Sequence, residues 1–277
     1  MISILKNKIA GAVYGFAIGD AMGATTEFMT HEQIRKVYGK VTNIIGGGWL
    51  RLSVGEVTDD TQMSMCVMKA IMESTPYRFT RFVADEFVKW FHSGPKDVGG
   101  QCAKGISYYI NTGQFIDYDA EAKGNGSLMR AMPCAIMCSH DFDLLNEAQG
   151  RITHNNPECS QVILEYSRLI QNYLNGILYT GPKKFLLEPS GYLWNTFNNS
   201  VYWSCKDSFK EAILGAVNHG GDADTIAAIA GSLAGAKFGY DKIPKEWICQ
   251  LNSEVKIFLN NFINFAFAYV QKENLVV

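Results

Sequence analysis

Apolar side chains recur along this chain with the period of an α-helix far more often than with that of a strand. Positions 162, 163, 166, 169, 170, 173 and 174 form one such stripe, which begins just after Asn156 and Pro157, a cap and a first helical residue. The nearly unbroken apolar run 63–72 follows Asp59 and Gln62, spaced as a capping box, and predicts a helix buried on most sides. Ser208 and Glu211 repeat that box ahead of the run 212–217. Near the end, Phe258, Phe262 and Phe265 interleave with Asn260, Asn261 and Asn264, the pattern of a final amphipathic helix packed on the core.

Small residues make a second pattern. Gly11, Gly15, Gly19 and Gly23 fall every fourth position, as do Ala227, Gly231, Gly235 and Gly239, so each set shares one helical face. Glycine inside a helix loses about 1 kcal/mol against alanine, and a stripe of it implies that close backbone approach recovers the loss through packing. Two tightly packed central helices are expected. Strand signals are confined to short runs such as 41–45 beside the Gly46, Gly47, Gly48 turn. The expected fold is all-α, an orthogonal helical bundle once the resemblance described below is included. With 277 residues, 47% of them hydrophobic, the chain has apolar material for one large core, and a single domain over 1–277 is expected.

Composition narrows the function. The formal net charge is −2 and no basic stripe stands out, which argues against general nucleic-acid binding and for a small-molecule or modified-protein substrate. Seven cysteines, at 66, 102, 134, 138, 159, 205 and 249, include no CxxC pair, and Cys134 and Cys138 are at helix spacing. They read as buried free thiols in a reducing compartment, and hence a cytoplasmic protein. Asp20 interrupts the apolar N-terminal run before it spans a bilayer, and no cleavage-site pattern follows, so neither export nor membrane insertion is expected.

Two acidic clusters carry the candidate chemistry: Thr58, Asp59 and Asp60 at one helix start, and Asp222, Asp224 and Thr225 after the Gly220, Gly221 turn at another. Each alone is also what an N-cap looks like, since threonine and aspartate satisfy free amides and offset the helix dipole. The pairing changes the reading, because both helices are unusually apolar and their N-termini meet if they pack together. Like charges ~4 Å apart cost about 4 kcal/mol at an effective dielectric of ~20, so such a set requires protons or cations. Carboxylate and hydroxyl oxygens, without cysteine or paired histidines, suit Mg²⁺ or Mn²⁺ rather than zinc.

The segments GAVYGFAIGDAMGATTEF, GEVTDDTQM, SGPKDVG, GNGSLMRAMP, THNNPE and AVNHGGDADTIAAIAGSLAGAKFG, in that order from Gly11 to Gly239, resemble the ADP-ribosylglycohydrolase family. The resemblance implies an all-α orthogonal bundle and a dinuclear Mg²⁺ centre, with Mn²⁺ as the other candidate, held by Thr58, Asp59, Asp60, Asp222, Asp224 and Thr225. It implies hydrolysis of ADP-ribose from protein side chains. Arginine linkage is preferred because the loop 93–99 is similar to that of the arginine-directed bacterial branch. Other readings are another ribosylated small molecule or nucleotide as substrate, or a non-catalytic ADP-ribose binder, although a binder typically lacks the metal carboxylates that are all present here.

The same resemblance assigns further roles. Glu27 matches a carboxylate facing the metals, against the plain reading of a helix-end surface charge. Asp97 matches a loop aspartate placed over the scissile ribose. Asp59, Asp97 and Glu27 are the candidate acid and base groups, with ring opening of the ribose as an alternative route. Gly124, Asn125, Gly126 and Ser127, ahead of a helical run expected from Leu128, suit a diphosphate at a helix N-terminus, or make an ordinary capped turn. His154 matches a loop near the phosphates, Tyr192 a tyrosine that stacks on adenine, with a structural loop role and core packing as the respective alternatives. Arg130 is expected inside the helix in a structural role, the alternative being a phosphate partner.

Overall fold

The computed structural model describes residues 3–137, 139–179 and 185–273, and thirteen α-helices follow one another along them. They are α1 (Ile4–Gly23), α2 (His31–Tyr38), α3 (Asp59–Glu73), α4 (Phe79–His92) and α5 (Gly100–Thr112). After these come α6 (Met132–Ile136), α7 (His140–Arg151), α8 (Pro157–Leu174) and α9 (Leu193–Ser204). The chain closes with α10 (Phe209–Val217), α11 (Ala223–Phe238), α12 (Lys245–Gln250) and α13 (Ser253–Glu273). Among the described residues no strand forms. The run 41–45 is a loop whose Val41 backbone is held by the Asn218 side chain, and pairing is limited to isolated bridges such as Gly124 to Tyr192. The fold is all-α, as the periodicity predicts.

The small-residue stripes build the axis of the molecule. α1 and α11 run antiparallel in contact, Gly11 against Gly235, Gly15 against Gly231, Gly19 against Ala227 and Gly23 against Ala223. A Cβ placed at Gly15 would stand 2.2 Å from the Gly231 carbonyl oxygen, and one at Gly235 1.9 Å from that of Gly11. Both helices are buried around nearly their whole circumference, as expected of helices apolar on every face. Gly239 caps α11 at φ 90° rather than lying inside it, yet its backbone still meets α1, 2.8 Å from a Cβ placed at Gly11, and Ala223 extends the α11 face at the other end.

The caps fall close to where the sequence places them. Asn156 caps α8 with Pro157 as its first residue, and the Ser208 hydroxyl accepts from the Glu211 amide. The box expected at Asp59 and Gln62 does not form, because α3 starts one residue earlier: Thr58 is the cap and Asp59 the first helical residue. The helix expected from Leu128 starts later, at Met132, so Arg130 lies in a turn rather than inside a helix. α13 has the amphipathic character expected, with Phe262 fully buried and Asn260 accepting from the Tyr14 hydroxyl at 3.1 Å. Cys138 lies outside the described residues; the other six cysteines are free thiols, but the expected burial holds only for Cys102, Cys134 and Cys159, since Cys66 is half-buried and Cys205, just past the end of α9, and Cys249, on the short α12, are exposed. No helix of the described residues is long and apolar enough to cross a membrane.

Candidate metal centre and substrate pocket

The last turn of α1 gathers both acidic clusters. Asp20, fully buried, accepts from the Thr58 amide at 3.1 Å, the Thr61 amide at 3.1 Å and the Thr61 hydroxyl, which fixes the N-terminus of α3. The N-terminus of α11 lies against Gly23, because the two helices are antiparallel. Beyond α1, the Phe28 amide donates to the Gly221 carbonyl at 2.7 Å and the Gly221 amide returns to Met29 at 2.8 Å. This ladder ties the segment of Glu27 to the turn before Asp222. Gly221 has to be glycine: its φ is 66°, and a Cβ would stand 1.8 Å from the Pro189 carbonyl oxygen.

The result is a pocket of about 290 Å³ whose wall carries Glu27, Asp59, Asp60, Asp97, Asp222 and Asp224, six carboxylates with no lysine or arginine among the lining residues. Ligand oxygens of Glu27, Asp222 and Asp224 lie within 4.8 Å of one another. Asp59 and Asp60 stand outside that trio, but the Thr225 hydroxyl is 3.4 Å from both Asp60 Oδ1 and Asp222 Oδ1 and so links the two clusters. Asp60 Oδ2 is buried without a hydrogen-bond partner. The Thr58 hydroxyl accepts from the Asp60 amide, and Thr58 itself is only 2% exposed.

Electrostatics show the strain of this arrangement. Burial first, then Asp222, Asp97 and Asp59, raise the Glu27 carboxyl to about 8 against the pull of its Trp49 hydrogen bond. Burial, Asp97 and Asp20 raise Asp59 to about 7, and burial lifts Asp222 to about 6. Asp60 and Asp224 are driven well above the usual carboxylate range by burial and by their acidic neighbours. Asp97 is raised by burial. An all-oxygen donor set with an orphaned buried oxygen and no cationic side chain fits hard divalent cations. Glu27 is 5% exposed, which removes the reading of a surface charge.

Four of the residues expected on the substrate side share this pocket. Gly124, Asn125, Gly126 and His154 line the same pocket. Asn125 Nδ2 donates to Asp222 Oδ2, joining that turn to the acidic clusters. Gly126 packs so closely that a Cβ would meet His154 Cε1 and Cys102 Sγ at 2.8 Å each. Two corrections follow. Asn125–Ser127 is a three-residue 3-10 turn rather than the start of a helix, so a helix dipole has no part there. Ser127 is fully buried and is absent from the pocket wall. Tyr192 does not line the acidic pocket either, but it pairs with Gly124 beside it and is 42% exposed, which excludes core packing.

Arg130 supports this turn from below. Fully buried, it donates to the Gly126 carbonyl at 2.8 Å, Gln149 Oε1 at 2.8 Å and Thr153 Oγ1 at 2.8 Å, and lies 4.7 Å from the Phe87 ring centroid. Thr153 Oγ1 also lies 2.8 Å from His154 Nδ1. Burial and Arg130 lower the His154 pKa to about 3, so the ring is neutral, and in the tautomer in which Nδ1 accepts from Thr153 its Nε2 is the donor.

Sequence reasoning missed two residues of the site. Asp20 carried a signal, a lone carboxylate inside a glycine-striped apolar helix. Trp49, whose indole donates to Glu27 Oε2 at 2.6 Å and whose ring lies 5.5 Å from that of Phe28, carried none.

Comparison with known proteins agrees with this geometry. The ADP-ribosylglycohydrolase family model matches residues 1–187 and 178–271. The chain is 38% identical over 276 residues to the ADP-ribosyl-[dinitrogen reductase] glycohydrolase of Rhodospirillum rubrum, covering 91% of this chain and 92% of that protein. It is 30% identical over 289 residues to the ADP-ribosylarginine hydrolase Tri1 of Serratia proteamaculans, covering 91% and 77%. A solved ADP-ribosylglycohydrolase-related protein complex superposes with a TM-score of 0.78 at 25% identity, over 96% of this chain and 98% of that one. Two acidic helix starts drawn together by a glycine seam, and sequence matches across nearly the whole chain, lead to one conclusion: the protein belongs to the ADP-ribosylglycohydrolase family.

Proposed function

We propose that this protein is a cytoplasmic hydrolase that removes ADP-ribose from arginine side chains of proteins, using two Mg²⁺, or Mn²⁺, at the acidic pocket. The observation that carries the proposal is the convergence of six carboxylates on one pocket without a cationic side chain. Thr58, Asp59, Asp60, Asp222, Asp224 and Thr225 would hold the metals, with Glu27 beside them. When bound, the metals supply Lewis acidity toward the ribose hydroxyls and an activated water.

The protein's own groups supply the rest. Cleavage adds water across the bond between the ribose anomeric carbon and the arginine nitrogen, and positive charge grows on the sugar as that bond breaks. Carboxylates around the ribose stabilise this charge. Asp97, in the loop before α5 and on the pocket wall, would pass a proton to the departing guanidine. The His154 Nε2–H would donate to the diphosphate beside the Gly124–Asn125–Gly126 turn, and the exposed Tyr192 face would receive the adenine.

The test is ADP-ribose release from arginine- and serine-ADP-ribosylated peptides, with Mg²⁺ and after EDTA treatment followed by metal restoration. Metal-dependent release from the arginine peptide is the expected result. Release that survives EDTA would overturn the metal assignment, and no release from either peptide despite tight ADP-ribose binding would overturn the hydrolase.

The raised carboxyls also set a pH dependence for the metal-free chain. Glu27 at about 8, Asp59 at about 7 and Asp222 at about 6 keep their protons in the fold where the unfolded chain, near its usual value of about 4, has lost them. Unfolding therefore releases protons from these groups, and their contribution to stability is full below about pH 4 and is lost as pH rises toward 8. Thermal melts in EDTA should give a lower Tm at pH 8 than at pH 5, and Mg²⁺ should raise Tm far more at pH 8. A metal-free Tm that climbs between these pH values would contradict the electrostatic reading.

A further inference from the structure

A second cavity, of about 740 Å³, opens beside α2 and α10 and shares no lining residue with the acidic pocket. Its charge is opposite: Arg35, Lys40 and Lys206 line it against a single carboxylate, Glu211. Apolar wall comes from Ile34, Leu214 and the indole of Trp203, which lies so flat on Gly215 that a Cβ there would stand 2.2 Å from the ring. The Lys206 ammonium sits 5.1 Å from the Trp203 ring centroid.

Two ring nitrogens in its wall lack partners. Trp203 Nε1 and His219 Nδ1 are both buried without a hydrogen bond, on rings 5.9 Å apart. A buried donor left unpaired costs about 1–3 kcal/mol, and folded proteins seldom leave one so. The other indoles are satisfied: Trp49 donates to Glu27, Trp90 to Gln62, Trp194 to Glu158 and Trp247 to the Thr42 carbonyl. An indole N–H only donates, so what this cavity lacks is an acceptor, and the surrounding cations favour one that is negatively charged.

We propose that this cavity binds a small organic anion, a phosphate or carboxylate carried on an apolar body. The acid group takes the Trp203 hydrogen beside Lys206, within the field of Arg35 and Lys40, and the body rests on Ile34 and Leu214. The segment 218–222 joins the two sites, since Asn218 and His219 line this cavity and Asp222 lines the acidic one.

The five tryptophans give a direct test, because Trp49 reports on the acidic pocket and Trp203 on this one. Indole ¹⁵N–¹H signals are followed during titration of the whole, metal-loaded protein with phenyl phosphate and with phenylacetate, the Trp203 signal being assigned from Trp203→Phe. At least one of the two probes should shift the Trp203 signal downfield with a dissociation constant below about 1 mM at low salt. The Trp49 signal should stay in place, and Lys206→Ala should weaken binding at least about fivefold, as screening by added salt also should. Phenol, the same body without the acid, should shift nothing. A Trp203 signal unmoved by either acid at about 10 mM overturns the proposal. So does a Trp49 signal moving with the same midpoint, an equal shift with phenol, or unchanged affinity in Lys206→Ala.

Discussion

Replacing Asp60 by asparagine should abolish turnover, by at least ~10²-fold, and at the same time raise the melting temperature of the metal-free protein at pH 8. The two effects share a cause. Asp60 Oδ2 is buried with no partner, and Asp20, Asp59, Asp222 and Glu27 all press their charge on the same group. As an acid in the first turn of α3 it gains about 0.3–1 kcal/mol from the helix dipole. Each like charge about 4 Å away costs about 4 kcal/mol even at an effective dielectric of 20, so repulsion wins and the neutral amide relieves it. Asparagine keeps the shape, and the Thr225 hydroxyl can still meet it. Asp224→Ala should lose activity to the same degree, since that carboxylate is squeezed by Glu27, Asp60 and Asp222. Steady-state rates with Mg²⁺ and melts in EDTA read both halves. Full activity in Asp224→Ala would remove the metal assignment, and a clear drop in the metal-free Tm of Asp60→Asn would remove the repulsion argument.

How far the sequence foretold this site follows from the range over which each signal acts. Asp59, Asp60, Asp222, Asp224 and Thr225 were legible as pocket residues because they are local motifs at helix starts, whereas Thr58 caps α3 and does not line the pocket. The matched glycine stripes foretell α1 against α11, which sets the start of α11, but the start of α3 is brought there by Asp20, which the sequence reading left without a role in the site. Ser127 was misplaced because the turn at 125–127 is followed by Leu128, Met129 and Arg130 before α6 starts, and an apolar run cannot tell a buried turn from a helix. Arg130 looked helical for the same reason, and its structural role was expected on that ground; what gives it that role is burial and its hydrogen bonds to Gly126, Gln149 and Thr153. Trp49 stood beyond reach: its contact with Glu27 depends on how the loop 42–57 folds over the end of α1, and nothing in its own neighbourhood encodes that.

The seam that makes the site legible should also be its weakest point to substitution. A valine at Gly19 is expected to prevent the protein from accumulating in folded form. A Cβ at that position would stand 2.0 Å from the Ala227 carbonyl oxygen and 2.4 Å from its carbon, and both are backbone atoms of a helix that cannot rotate away. Overpacking against movable side chains typically costs 1–3 kcal/mol. Here α1 and α11 must separate, which withdraws buried contact along their whole length and places the cost on the order of 4–5 kcal/mol or more, a large share of the ~5–15 kcal/mol that stabilises a domain. Separation would also part Glu27 from Asp224, so any folded remainder should bind divalent ions weakly. Gly100→Ala is the control: no atom lies within 4 Å of the added Cβ, and its place in the first turn of α5 favours alanine. Soluble yield and Tm measured side by side should show Gly100→Ala unchanged or slightly more stable and Gly19→Val lost, whereas a Gly19→Val protein that melts within a few degrees of the parent would mean that the seam is looser than its contacts imply.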